Sequence, residues 1–104
     1  MKSVFFFKKK NIKINNVFPK IKFKKNFTVN NIKPLHLAEN KDLTFFDSIK
    51  YKNGAKKTKA GACITSENLK NFIPENVDLI IVKNVLFELA NVTKKIFPDS
   101  DIDY

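Results

Sequence analysis

Val77-Asp78-Leu79-Ile80-Ile81-Val82, followed after Lys83-Asn84 by Val85-Leu86-Phe87-Glu88-Leu89-Ala90-Asn91-Val92-Thr93-Lys94-Lys95-Ile96-Phe97, is the stretch that decides the fold. The first part is almost entirely apolar, as a strand reads when both of its faces are covered. It predicts a central strand over 77–82. The second part changes period: Leu86, Leu89, Ala90, Thr93, Ile96 and Phe97 recur at three- and four-residue steps, which builds one buried helical face. It predicts a helix over 85–97, with Asn84 as its cap, Lys94-Lys95 in the last turn where the dipole favours positive charge, and Pro98 as its stop. A buried strand feeding an amphipathic helix is an α/β unit.

Working outward from this unit, three more strands are expected. Phe27-Thr28-Val29-Asn30-Asn31-Ile32 alternates at first and reads as a strand over 27–33, closed by Pro34. Leu35 to Asp42 is a connector with room for one helical turn. Leu43-Thr44-Phe45-Phe46 is a second strand, broken by Asp47-Ser48. Lys52-Asn53-Gly54 is a turn signal leading into a lysine-rich stretch that ends at Lys59. Ala60-Gly61-Ala62-Cys63-Ile64-Thr65 is a third strand whose small side chains let another element approach closely. Ser66 reads as the N-cap of a short helix over 66–73, ended by Pro74. Near the start, Ile12, Ile14, Val17 and Phe18 suit one short amphipathic turn before Pro19. The expected class is α/β: a small mixed sheet of about four strands with short helices. The chain divides into a lysine-rich segment (1–26), an α/β domain (27–97) and an exit segment (98–104).

All twenty basic residues are lysine, set against ten acids in 104 residues, for a formal charge of +10. Residues 1–60 carry the excess. Such a charge attracts nucleic acid, acidic membrane or phosphate-bearing ligands. Codon composition is the favoured account of it: lysine, asparagine, isoleucine and phenylalanine are all abundant, and arginine, the preferred residue for bidentate phosphate contact, is absent. The apolar run Leu79–Val82 is far short of the ~20 residues a membrane span needs. Val4-Phe5-Phe6-Phe7 is too short for a secretory signal and meets Lys8-Lys9-Lys10, so a cytoplasmic location is expected. One cysteine, Cys63, excludes an intrachain disulfide. One histidine, His36, leaves too few soft ligands for zinc. No metal site and no cofactor are expected.

The chemistry on offer is limited. His36, between Leu35 and Leu37, reads as incidental, and Cys63 as a buried inert thiol. The alternating Asp99, Asp101 and Asp103 lack the glycine and terminal glutamate of an EF-hand loop. Leu43 to Tyr51 is different. It sets two aromatics, Phe45 and Tyr51, at either end of a strand-to-turn bend. A flat base held between such rings gains about 1–3 kcal/mol per stacking side chain. Ser48 offers a hydroxyl at the bend, and Lys50, Lys52 and Lys56 stand near enough in sequence to meet phosphates. The competing account makes Phe45 a core residue and Tyr51 a surface ring.

Ile32-Lys33-Pro34-Leu35-His36-Leu37-Ala38, Asp42-Leu43-Thr44-Phe45-Phe46, Lys50-Tyr51 and Thr58-Lys59-Ala60-Gly61-Ala62, followed by Val82-Lys83-Asn84 and Phe97-Pro98, resemble the N-terminal domain of UDP-3-O-acylglucosamine N-acyltransferases. The resemblance covers roughly residues 27–104. It implies a uridine-binding domain of a hexapeptide-repeat acyltransferase, with uracil stacked between Phe45 and Tyr51. Where the family commonly carries an asparagine that helps hold the base, this chain has Ser48, a departure that bears on affinity and base selectivity.

The resemblance also implies a reaction in lipid A biosynthesis: a 3-hydroxyacyl group moves from acyl carrier protein to the 2-amino group of UDP-3-O-acylglucosamine. Catalysis in that family belongs to a left-handed β-helix that trimerises and contacts the acyl carrier protein. That domain is missing from these 104 residues, so no catalytic residue is assigned, and the chain alone is expected to be monomeric and inactive. A small lysine-rich nucleic-acid-binding module is the alternative, favoured by net charge.

Overall fold

In the computed structural model, which describes residues 11–98, four strands form one sheet in chain order. They are β1 (Asn31–Ile32), β2 (Asp42–Phe46), β3 (Ala62–Thr65) and β4 (Asp78–Ile81), and every neighbouring pair is parallel. Three helices accompany them: α1 (Ile14–Val17), α2 (Lys52–Lys57) and α3 (Val85–Ile96). Short 3-10 turns at Ile49–Tyr51 and Lys70–Phe72 complete the connections.

The two faces of the sheet are filled separately. Leu43, Ala62, Ile64 and Ile80 point to one side, where they meet Ile14 and Val17 of α1 and Val85, Val92 and Ile96 of α3. Phe46 and Cys63 point to the other, against Ala55 of α2 and Leu69, Ile73 and Val77. The alternation follows from the two-residue period of a strand. With a core on both faces, the strands need apolar residues at successive positions, and the crossovers between parallel neighbours lie over the second face.

Several expectations are corrected. The sheet is wholly parallel, not mixed. The apolar strand at 77–82 lies at the edge rather than the centre. Ile80 joins the first core and Val77 and Leu79 the second, while Ile81 is exposed, and the Asp78 carboxylate accepts from the backbone N–H groups of residues 24 and 25 at 3.0 and 3.4 Å. The first strand shrinks to Asn31–Ile32, because the residues before it pair elsewhere. Thr28 bridges Lys13 in antiparallel fashion, and Val29 N–H donates to Ile12 O at 2.9 Å.

The helix expected at 66–73 is a series of i→i+3 turns, with Leu69 N–H donating to Ser66 O and Phe72 N–H to Leu69 O. Ser66 spends its hydroxyl on Asn68 Oδ1 instead of capping a backbone amide. Conversely, the turn signal at Lys52-Asn53-Gly54 lies inside α2, where burial of Ala55 overrides local propensity. Helix α3 forms as its period demands, and Asn84 caps it by accepting from Phe87 N–H at 3.0 Å. Its buried stripe runs through Val85, Val92 and Ile96, whereas Leu86 faces solvent. The aspartates at 99, 101 and 103, and the apolar run at 4–7, lie outside the described residues.

Candidate functional site

Parallel sheets present ligand crevices at the carboxyl ends of their strands, where side chains and loop amides diverge. A cavity of about 720 Å³ opens there, beyond β1 and β2. Its walls come from three places: Pro34, Leu35 and His36 after β1; Phe45 through Tyr51, apart from Ile49, at the end of β2 and its following turn; and Gly54 on α2. This volume is ordinary for a small-molecule site, and so is a mostly apolar wall with a few polar groups.

Each side chain is held for a physical reason. Phe45, in register with Ile64 of β3, is half-buried, with the core behind it and the cavity in front. Phe46 faces the opposite side of the sheet, where its ring meets Phe72 edge-on at 6.1 Å. The chain then leaves the sheet. Ser48, in extended conformation, caps the 3-10 turn by accepting from Lys50 N–H at 3.4 Å, which leaves its hydroxyl hydrogen available to a ligand. Tyr51 ends that turn with 52% of its surface exposed, and the Lys50 ammonium lies 5.2 Å from its ring centre.

The opposite wall is tied in by Thr58, just beyond α2, whose hydroxyl donates to Leu35 O at 2.8 Å. Thr65 Oγ1 likewise donates to Phe46 O at 2.9 Å and fixes the end of β2 against β3.

Of the residues singled out from sequence, Phe45, Ser48, Lys50 and Tyr51 share this cavity. Lys52 and Lys56 do not line it, although α2 carries both; the Lys56 ammonium lies 5.8 Å from the Phe72 ring centre instead. Sequence reading missed Pro34, Leu35, His36, Phe46, Asp47 and Gly54 as lining residues. The available signal was positional: with parallel strands, the residues just after the first strand must sit beside those just after the second. Cys63 takes no part in the cavity. It is buried on β3, and burial pushes its thiol up from 9.0 to about 12.

Comparison with known proteins places the sequence in a family. The model of the UDP-3-O-(3-hydroxymyristoyl) glucosamine N-acyltransferase family, LpxD, matches residues 26–95, a span that includes every strand and all but the last residue of α3. The chain belongs to this family. A UDP-3-O-acylglucosamine N-acyltransferase of Acinetobacter baylyi is 31% identical over 67 residues. That stretch is 64% of this chain and 19% of the relative, so the chain corresponds to about a fifth of the relative's length. LpxD membership and the cavity bear on the same segments, since the match spans both of the cavity's main walls.

Proposed function

We propose that this chain holds the uridine diphosphate part of a UDP-linked acylglucosamine, as the nucleotide-binding portion of an N-acyltransferase of lipid A biosynthesis. The observation that carries the reading is the convergence of Phe45, Ser48, Lys50 and Tyr51 on one cavity at the carboxyl end of the sheet. Phe45 and Tyr51 supply stacking faces for uracil. The Ser48 hydroxyl donates to a base carbonyl, and Lys50 meets the phosphates. Residues 27–97 form the nucleotide-binding unit in this reading.

Acyl transfer, the contact with acyl carrier protein and trimer assembly belong to a β-helix domain of the family. By themselves, the 104 residues are then catalytically silent. Among the described residues, no His, Cys, Asp or Glu cluster of three or more is placed to hold a metal ion, and none is needed for stacking. No described helix is long and apolar enough to cross a membrane.

Tyr51 gives the cleanest test because it is exposed, whereas Phe45 also supports the core. Removing one stacking ring costs about 1–3 kcal/mol, or roughly 5- to 150-fold in affinity. Uridine binding, followed by ligand-observed NMR, is therefore expected to weaken by that factor in Tyr51→Ala with the fold intact. Ser48→Asn, which adds an amide donor and acceptor at the base edge, is expected to tighten it. Unchanged uridine binding in Tyr51→Ala would remove the stacking reading.

A further inference from the structure

The uridine pocket has an unbalanced charge problem. A UDP-sugar brings a diphosphate diester with two negative charges, yet the charged residues lining the cavity are Asp47 and Lys50, one of each sign. Lys52 and Lys56, the other nearby cations in sequence, are not part of the lining. The wall also carries His36, exposed on the turn after β1.

That turn is fixed at both ends. Leu37 and Ala38 N–H donate to Pro34 O, and Leu35 O accepts from Thr58. His36 therefore sits on a braced wall rather than on a free loop.

We propose that His36 is a diphosphate-binding residue of this pocket, and that its protonated imidazolium supplies the second positive charge the ligand requires. The inference rests on the uridine reading above. Imidazole ordinarily changes charge between pH 5 and 8. A bound dianion favours the charged form, so ligand binding draws a proton onto the ring. The charged groups that share the lining with His36 are Asp47 and Lys50, from the end of β2 and its turn; Gly54 contributes none from α2. The sign of the dependence is then set by the ligand: affinity for a UDP-sugar rises as pH falls and declines as the ring loses its proton.

The test compares UDP-N-acetylglucosamine, whose diphosphate diester does not titrate in this range, with uridine, which carries no phosphate. Both are titrated into the full chain and into His36→Gln at about pH 6 and about pH 8. In the unmodified chain, UDP-N-acetylglucosamine is expected to bind about fivefold more tightly at the lower pH, the size of one solvent-screened charge contact. Uridine should change less than about twofold between the two pH values, and His36→Gln should flatten the pH dependence of UDP-N-acetylglucosamine binding. Uridine binding together with pH-independent UDP-sugar binding, or full pH dependence in His36→Gln, would overturn the role of His36 alone. Absence of uridine binding at both pH values would overturn the pocket reading, and this inference with it.

Discussion

Cys63 shows how burial alone decides a residue's chemistry. Its neighbours in the core include Phe46, Ala55, Leu69 and Val77, and none of these offers a charge to stabilise a thiolate. Its pKa is accordingly pushed up to about 12 by desolvation. A group that is harder to ionise in the folded state than in the unfolded one stabilises the fold below its unfolded pKa. That contribution declines as pH rises from about 9 toward about 12. Chemical denaturation at successive pH values should therefore show a steeper alkaline loss of stability in the native chain than in Cys63→Ala, which cancels the effect of the lysines common to both. Equal slopes would contradict the account.

The burial of Cys63 was legible from its small-residue strand, as was the nearness of Phe45 and Tyr51 to one another around a bend, where both line the cavity. The place of His36 was not. Flanking leucines suggested an incidental position, but Leu37 is exposed and Leu35 turns toward the second core, which leaves the imidazole on the cavity wall.

At the scale of elements, the two glycines behave oppositely. Gly61 stands where β3 begins, and a Cβ there would clash with Asn40 O and lie 2.6 Å from Phe27 Cζ. The phenylalanine ring can shift, but the backbone carbonyl is fixed by its neighbours. Gly61→Ala is expected to destabilise the chain by about 1–3 kcal/mol. Gly54 lies within α2, and its nearest obstacle is Leu35 Cβ at an ordinary 3.7 Å. Gly54→Ala should stabilise by about 0.5–1 kcal/mol through reduced backbone entropy in the unfolded chain. Urea unfolding of the two variants checks both signs, and a neutral Gly61→Ala would mean the β3 entry is looser than described.

The presence of β4 and α3 was readable from their local pattern, but the edge position of β4 and the exposure of Leu86 were not. Nor were the elements decided by tertiary contacts. Helix α2 hides behind an Asn-Gly turn signal, and the 66–73 segment tightens into 3-10 turns that bury Leu69 and Ile73. Likewise, Phe27 to Asn30 reads as one strand with Asn31 and Ile32, yet its backbone is claimed by the segment at 12–14.

Over the whole molecule, the parallel sheet determines where a ligand can sit, and the net charge of +10 determines what competes for the protein. The residues at 12–23 pack into the same core as α3, with Ile14 and Val17 fully buried and the Lys95 ammonium donating to Val17 O at 3.1 Å. Lysines in and just after this segment, Lys20, Lys22, Lys24 and Lys25, are exposed and not among the residues that line the cavity. The two accounts of the chain therefore predict different footprints. Phosphate contacts by surface lysines weaken steeply with salt, whereas a stacked base is much less sensitive.

The most direct measurement is a titration of the isotope-labelled chain with UDP-N-acetylglucosamine, following backbone amide shifts at about 50 and about 200 mM salt. The uridine-pocket account predicts shifts at residues 35–36, 45–51 and 54 that persist at the higher salt. Shifts centred instead on Lys20, Lys22, Lys24 and Lys25 that disappear at the higher salt, with the amides from Phe45 to Tyr51 unmoved, would contradict it and favour a basic nucleic-acid-binding surface.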